Sequence, residues 1–340
     1  MKTVPFITII ATMAMSIAFF GCGRQKKTVV PPKVGVSLPT QREERWVRDK
    51  IKMDEVCKEI GLELVLRTAE NDAVQQEKQC DSLIAQGIKV LIVAPQDCKA
   101  AAAIVSKAHS AGVKVIAYDR MILDSDVDLY VSFDNEKVGE LQGEYVTRLV
   151  PKGAYVLFAG SPDDNNAALF RKGAMKYIKP LIDKKDITVV SDQWIKDWNP
   201  TEAERVMAAA LRASKNKVAA VLAPNDGIAG GCIAALSAQG LAGKVTVTGQ
   251  DAELAAVRRI VKGTQAMTVY KNTRKLGAVA VQAALAMSLS QPVAMINGKV
   301  NNGKTDVPAI LCEPVSVDKT NLDSVLIASE YLSKEDVYRP

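Results

Sequence analysis

Apolar and polar positions alternate along this chain with two periods. Short runs dense in Val, Ile, Leu and Ala are separated by longer stretches in which apolar residues recur every three or four positions. The short runs read as strands buried on both faces and the longer stretches as amphipathic helices, so their regular alternation predicts an α/β fold with parallel strands. The pattern predicts strands over 34–37, 63–67, 90–94, 113–118 and 129–133, with helices over 43–60, 71–87 and 99–111 between them. It continues with helix 138–149, strand 154–159, helix 166–182, strand 188–193, helix 201–214 and strand 219–222. Further on come strands over 245–248 and 266–269, helix 273–290, an extended stretch over 307–317 and a short helix over 324–331. Local chemistry agrees. Asn71, Asp72 and the polar run 163–166 offer side-chain acceptors to free N–H groups at helix starts. Gly61, Gly87, Gly112 and Gly240 follow helices, where a left-handed closing residue is favoured.

One unit occurs twice. Residues 88–120 and 218–251 each run from an apolar strand through an Ala-Pro-(Gln/Asn)-Asp turn and an Ala-rich helix to a second strand. The first copy ends in Asp119 and Arg120, the second in Gln250 and Asp251. Ligands of open parallel sheets sit beyond the carboxyl ends of the strands. Two equivalent units therefore predict two doubly wound lobes facing one polar ligand. The expected division is 34–135 with 271–305 in the N-terminal lobe and 136–270 with 306–340 in the C-terminal lobe. The chain is expected to cross near 134–136, 270–272 and 302–306, forming a three-segment hinge.

Length and charge narrow the picture further. A chain of 340 residues fits two domains of about 150 residues each. The net charge of +6 is mild and its Lys and Arg residues are scattered, and no helix-turn-helix segment precedes the first strand; nucleic acid is not an expected partner. The single histidine, His109, lies on a predicted helix with no Ser or Cys elbow nearby, which argues against nucleophilic triads and His-metal sites, and hence against an enzyme. The glycines within 227–231 match neither a dinucleotide fingerprint nor a P-loop, so no cofactor is expected. Asp124, Asp126 and Asp128 start like a calcium loop, but Leu129 stands where the sharp-turn Gly is needed and Asn135 at the last ligand position; no metal is expected.

The N-terminus reads as a targeting segment. Lys2 is followed by an apolar run over 4–20 and then by Gly21 and Cys22, with Phe19 where a lipobox usually has Leu. Residues 1–22 are expected to be a lipoprotein signal peptide, with Cys22 lipidated and the folded part outside the cytoplasmic membrane. An uncleaved anchor or a plain signal peptide is the alternative. Residues 23–33 are polar, basic and Pro-containing, as a tether to a membrane surface would be. Cys57, Cys80, Cys98, Cys232 and Cys312 match no zinc spacing; Cys57, Cys80 and Cys232 fall on predicted helices among apolar neighbours and read as small buried hydrophobes, with a Cys80–Cys98 disulfide as the alternative.

The chemistry-bearing residues follow strands. They are Arg45 and Trp46, Asp119 and Arg120, the run Asp163 to Asn166, Trp194 and Trp198, Asn225 and Asp226, Gln250 and Asp251, and Tyr270 and Lys271. At the carboxyl ends of strands all of them can converge on one cleft. The inventory suits a sugar. Carboxylates accept from hydroxyls, Arg donates through a planar fork, Asn does both, and Trp46 and Trp198 offer flat surfaces to the C–H faces of a pyranose. Each residue taken alone has a plainer reading as a surface ion pair, turn or cap. Trp194 is expected in the core, and Arg171, inside a helix, is expected mainly as an ion-pair residue.

Three strings sharpen this reading: AYDRMILDSDVDLYVSFDNEKVGELQG (117–143), GSPDDNNAALFRKGAMK (160–176) and GQDAELAAVRRIVKGTQAMTVYK (249–271). With them the chain resembles the bacterial D-xylose-binding proteins of ABC sugar importers, from about Lys33 to Tyr331. The resemblance implies a type I periplasmic-binding fold that closes around one pyranose and delivers it to a membrane permease and its ATPase. It implies polar contacts from Arg45, Asp119, Arg120, Asn166, Asn225, Asp251 and Lys271, stacking by Trp46 and Trp198, and lesser contributions from Asp164 and Arg171. The run 38–44 departs from it, being less acidic than expected before the Arg-Trp pair. A monomer is expected, tied to the membrane through its lipid alone. The alternatives are a sugar-sensing protein for a chemoreceptor or histidine kinase, and a binder of glucose or ribose.

Overall fold

A computed structural model describes residues 31–339. The expected signal segment, Cys22 and the tether up to residue 30 lie outside the described residues.

The first lobe is built on a sheet whose strands are covered by helices on both faces. Its elements are β1 (Lys33–Leu38), α1 (Glu44–Ile60), β2 (Glu63–Thr68), α2 (Ala73–Ala85), β3 (Val90–Val93), α3 (Ala102–Ser110), β4 (Lys114–Tyr118) and β5 (Leu129–Phe133). The chain then passes into a second lobe with α4 (Asn135–Leu149), β6 (Gly153–Ala159), α5 (Asn165–Asp183), β7 (Ile187–Trp194), α6 (Pro200–Ala213), β8 (Ala220–Leu222), α7 (Asp226–Ser237), β9 (Thr246–Val247), α8 (Leu254–Lys262) and β10 (Met267–Tyr270). It returns for α9 (Thr273–Ser288), β11 (Gly298–Asn301) and β12 (Asp306–Cys312), and ends with β13 (Val315–Asp318) and α10 (Lys334–Tyr338).

The first sheet has the order β11-β12-β5-β4-β3-β1-β2, parallel except for the β11 edge. Val90 to Val93 and Leu129 to Phe133 are buried without alternation, as strands covered on both faces require. Val34, Val36, Ile92 and Ile116 pack against α1 and α9. Leu91, Val93, Val115 and Ala117 pack on the opposite face with α2 and α3. The second sheet is parallel, β7-β6-β8-β9, with α4 and α5 on one face and α6 and α7 on the other. The bridge Gln250↔Val269 extends it toward β10, which pairs antiparallel with β13.

The alternation predicted these layers, and three details differ. The third crossing, expected near 302–306, falls after Cys312. Residues 306–312 form β12, in parallel register with β5 from Ala309↔Tyr130 to Cys312↔Phe133, so they complete the first sheet and belong with the N-terminal lobe rather than the C-terminal one. The stretch read as one extended run is therefore two strands in two layers. The pattern assigned nothing to α8, although Leu254, Val257, Ile260 and Val261 give it an apolar stripe and Gly263 closes it in the left-handed region. Nor did it assign β11 and α10. The five cysteines within the described residues are buried and unpaired, Cys80 and Cys98 included.

Candidate functional site

The carboxyl ends of the two sheets face each other, and the residues that follow those strands line one cleft between them. Arg45 and Trp46 stand on the first turn of α1, after β1. Asp119 and Arg120 follow β4, Asp164 and Asn166 open α5 after β6, Trp198 lies in a helical turn after β7, Asn225 caps α7 after β8, Asp251 follows β9 and Lys271 follows β10. All ten line the cleft, together with Glu43, Phe170 and Gln250. The enclosed and rim space is about 320 Å³, at the small end for small-molecule sites.

A chain of alternating charges runs across the floor. Arg45 donates from Nη1 to Asp119 Oδ2 at 2.7 Å and from Nη2 to Asp49 Oδ2 at 3.2 Å. Asp49, completely buried behind the wall, also accepts from the Tyr118 hydroxyl at 2.6 Å, so Arg45 is held from behind as well as from the cleft. Lys271 Nζ lies 3.0 Å from Asp251 Oδ1 and 3.9 Å from Asp119 Oδ2. Arg45 Nη1 is also 3.9 Å from Asp251 Oδ1, which closes the set. Burial works against the charge of Asp119, but Arg45 and then Lys271 outweigh it and hold its carboxyl below the ordinary value. Burial wins at Asp164, whose carboxyl is raised despite Arg120 Nε 2.8 Å away.

The aromatic walls are locked in place. Trp198 donates from Nε1 to Asp164 Oδ2 at 3.2 Å and meets Phe170 edge-to-face at 6.2 Å. Its ring lies flat against Gly160, where a Cβ would come within 2.1 Å of it, so only glycine admits the ring there. Trp46 carries the Arg45 guanidinium 4.3 Å from its ring centroid and that of Arg120 at 5.3 Å.

Contacts across the cleft hold the lobes together. Asn166 Nδ2 donates to Asp119 O at 3.0 Å, the Cys98 N–H to Asp163 O at 3.0 Å, and the Leu254 N–H to Glu44 Oε2 at 2.9 Å. At the rim, Gln96 Nε2 donates to Asp197 Oδ1 at 3.2 Å, and Arg42 donates to Asp197 O.

This arrangement fits a neutral, polyhydroxylated ligand. Three cations (Arg45, Arg120, Lys271) face four carboxyl groups (Glu43, Asp119, Asp164, Asp251), so the lining is nearly balanced and favours neither an anion nor a cation. Among the described residues Glu43 Oε2 and Gln250 Oε1 accept no hydrogen bond and Arg45 Nε donates none, while Asp251 Oδ1 has the Lys271 ammonium 3.0 Å away but no hydrogen bond of good geometry. Buried acceptors beside a buried donor match groups that do both, which hydroxyls do. Each such atom left unpaired costs about 1–3 kcal/mol.

Of the residues assigned to sugar contact, Arg171 alone lies outside the cleft, and of the wider strand-end inventory Asp163, Trp194, Asp226 and Tyr270 do not line it either. Arg171 points to the surface and forms a bidentate pair with Asp192 on β7, the first of its bonds 2.8 Å long. Trp194, expected in the core, is 43% exposed, because β7 is an edge strand and Trp194 is its last residue. Gln250 was placed among the strand-end residues but not among the sugar contacts, and two further lining residues were not named at all, though each had a signal: Phe170 stands one turn after Asn166 on the same helix face, and Glu43 immediately precedes α1.

A family model described as a periplasmic binding protein domain matches residues 34–291. Among curated relatives, a D-xylose-binding periplasmic protein of Haemophilus influenzae is 42% identical over 327 residues, covering 96% of this chain and 97% of the relative. Its counterpart of the same description in Escherichia coli is 41% identical over 330 residues, covering 97% and 98%. Among solved structures, a carbohydrate transporter solute-binding protein from Chloroflexus aurantiacus in complex with D-glucose superposes with a TM-score of 0.84 at 36% identity, covering 89% of this chain and 97% of that one. An ABC transporter solute-binding protein from Clostridium phytofermentans with bound β-D-glucose gives 0.84 at 34% identity, covering 90% and 99%.

Proposed function

This chain belongs to the periplasmic binding protein family, and on that premise we propose that it binds D-xylose between its lobes and delivers it to an ABC permease. Its relatives are extracytoplasmic solute-binding proteins rather than enzymes. The observation that carries the choice of ligand is the near-full-length identity to two D-xylose-binding proteins. The balanced, acceptor-rich cleft supports it by fitting a neutral sugar.

In this reading the open lobes admit the sugar and its hydroxyls bond to both walls. Because those bonds need both walls in place, the ligand favours the closed arrangement. Arg45, Asp119, Arg120, Asn166, Asn225, Asp251 and Lys271 hold the hydroxyls, with Asp164 setting Arg120 and Trp198. Trp46 and Trp198 cover the C–H faces. The connections between β5 and α4, β10 and α9, and β12 and β13 act as the hinge. A micromolar site needs about 8 kcal/mol net, within reach of several charge-assisted hydrogen bonds and two ring contacts. Trp198 is fixed between Gly160 and Asp164; on this reading it fills the space that the extra CH₂OH of a hexose would need.

Calorimetry with xylose, glucose, ribose and arabinose tests the assignment. Heat with xylose at micromolar concentration is expected; binding of another sugar with none of xylose overturns it. A second reading, glucose, is favoured by the two glucose complexes at 34–36% identity, and the same titration decides it. Lipidation of Cys22 anchors the protein as a monomer to the outer face of the membrane; mass spectrometry of the membrane fraction checks that modification.

A further inference from the structure

Asp226 does not line the cleft, yet it organises the loop that does. Its carboxylate is buried behind Gln250 and Asp251, with a residue exposure of 1%. Oδ1 accepts from Gln265 Nε2 at 2.8 Å, and Oδ2 accepts from Thr268 Oγ1 at 2.9 Å and from the Glu253 N–H at 3.0 Å. Thr268 Oγ1 in turn accepts from the Ala252 N–H at 3.1 Å, and the Asp226 N–H donates to Gln250 O at 2.9 Å. The backbone of residues 250, 252 and 253 is thereby tied to one side chain and its own main chain.

That loop needs holding. Asp251 has φ 99° and Ala252 φ 51°, both in the left-handed region that non-glycine residues avoid. Such conformations cost about 1–3 kcal/mol each and persist only where the surroundings over-determine them. Just before them, the Gly249 backbone passes so close to the brace that a Cβ would lie 2.1 Å from Asp226 Oδ1 and 2.4 Å from Gln265 Nε2. The carboxyl is kept there at some cost. Burial, opposed by Arg259 and reinforced by Asp251, pushes it up to about 7.

We propose that Asp226 is a positioning residue, which holds the strained segment 249–253 so that Gln250 and Asp251 project into the sugar site. This rests on the sugar-binding reading, and the experiment separates the two. Wild type, Asp251→Asn, Asp226→Asn and Thr268→Val are titrated with xylose and its monodeoxy analogues, or with whichever sugar wild type binds, below each variant's melting temperature. Asp251→Asn identifies the analogue lacking the hydroxyl that Asp251 holds: it is the one this variant binds no more weakly than wild type does. Asp226→Asn is expected to weaken binding of the parent sugar about tenfold and Thr268→Val about threefold, while both leave that same analogue unchanged. A residue that merely stabilises the fold would not move this pattern. Unchanged affinity in Asp226→Asn, or equal loss across all analogues, overturns the brace alone. Wild type that binds none of the sugars overturns both readings. Should Asp226→Asn fail to fold, Thr268→Val decides: the selective loss supports the brace and unchanged affinity overturns it.

Discussion

The two copies of the strand–turn–helix–strand unit keep the same ligand-facing device and support it by different means. In the first copy Asp119 follows β4, has φ 59°, and donates its N–H to Val131 O of the next strand at 2.7 Å. In the second Asp251 follows β9, has φ 99°, and donates to Val269 O at 2.8 Å. Both carboxylates meet Arg45 and Lys271. Their scaffolds diverge. The Asp119 carbonyl accepts from Ser132 Oγ at 2.6 Å, Tyr130 OH at 2.9 Å and Asn166 across the cleft, whereas the Asp251 loop hangs on Asp226 and Thr268. The turns diverge in step. Asp97 is a partly exposed turn residue ahead of α3, accepting from the N–H groups of Lys99 and Ala100, while its counterpart Asp226 is buried. The repeated unit thus keeps one carboxylate geometry at the cleft, while the bonds that enforce it differ between the copies.

The sharpest way to break this comparison is to remove the shared carboxylates. Asp119→Ala leaves Arg45 with Asp49 as its close partner and Asp251→Ala removes the 3.0 Å partner of Lys271, and each also removes a carboxylate proposed to hold the sugar. Each variant is expected to lose at least ~100-fold in affinity by calorimetry, since truncating one partner of a buried, hydrogen-bonded charge pair at a binding site costs about 2–5 kcal/mol. Retained affinity in both places the site elsewhere.

Protonation separates the two supports next. Asp119, with a lowered value, contributes stability that is present above the unfolded-state value of about 4 and lost as pH falls through its folded value. Asp226, raised to about 7, acts in the opposite sense. The unfolded chain ionises first, so stability falls as pH rises from about 4 to about 7. Thermal melts without sugar should therefore show Asp119→Asn flattening the acid limb and Asp226→Asn flattening the fall between pH 4 and 7. Curves parallel to wild type would contradict the assignment.

Smaller effects belong to the turn and rim of the first copy. Gln96→Ala removes one bond across the cleft to Asp197 and is expected to weaken sugar binding about fivefold through a less favoured closed state, read as faster dissociation. Asp97→Ala removes two hydrogen bonds that close the turn before α3, with about 1 kcal/mol lost in denaturant unfolding and no change in affinity, in contrast to its counterpart Asp226. Smallest is Arg171→Ala. It breaks an exposed ion pair with Asp192, with affinity unchanged and stability within about 0.5 kcal/mol.

Much of the fold was legible because it depends on local pattern. Short continuous apolar runs and period-3.6 stretches report which faces are buried, and most strands and helices of both lobes follow from them in chain order. The polar residues of the site were legible for a related reason: in parallel sheets the carboxyl ends point one way, so a residue directly after a strand has only one edge to occupy. Position alone misled at Trp194, where an edge strand decided the outcome, whereas Arg171 forms the ion pair that its place inside a helix led one to expect. The missing elements have separate reasons. The stripe of α8 was present in the sequence, whereas β11 alternates half-buried and exposed residues and carries little apolar signal.

By itself, then, the sequence determined the α/β alternation, the repeat, the sugar-like donor and acceptor set and the resemblance to xylose binders, since each is written in short strings. Tertiary structure alone decided that β12 stays in the first sheet, that Arg45 is gripped between Asp49 and Asp119, and that Asp226 became a brace while Asp97 remained a turn residue. Those outcomes depend on which distant groups arrive within about 3 Å of one another, and no local pattern encodes that distance.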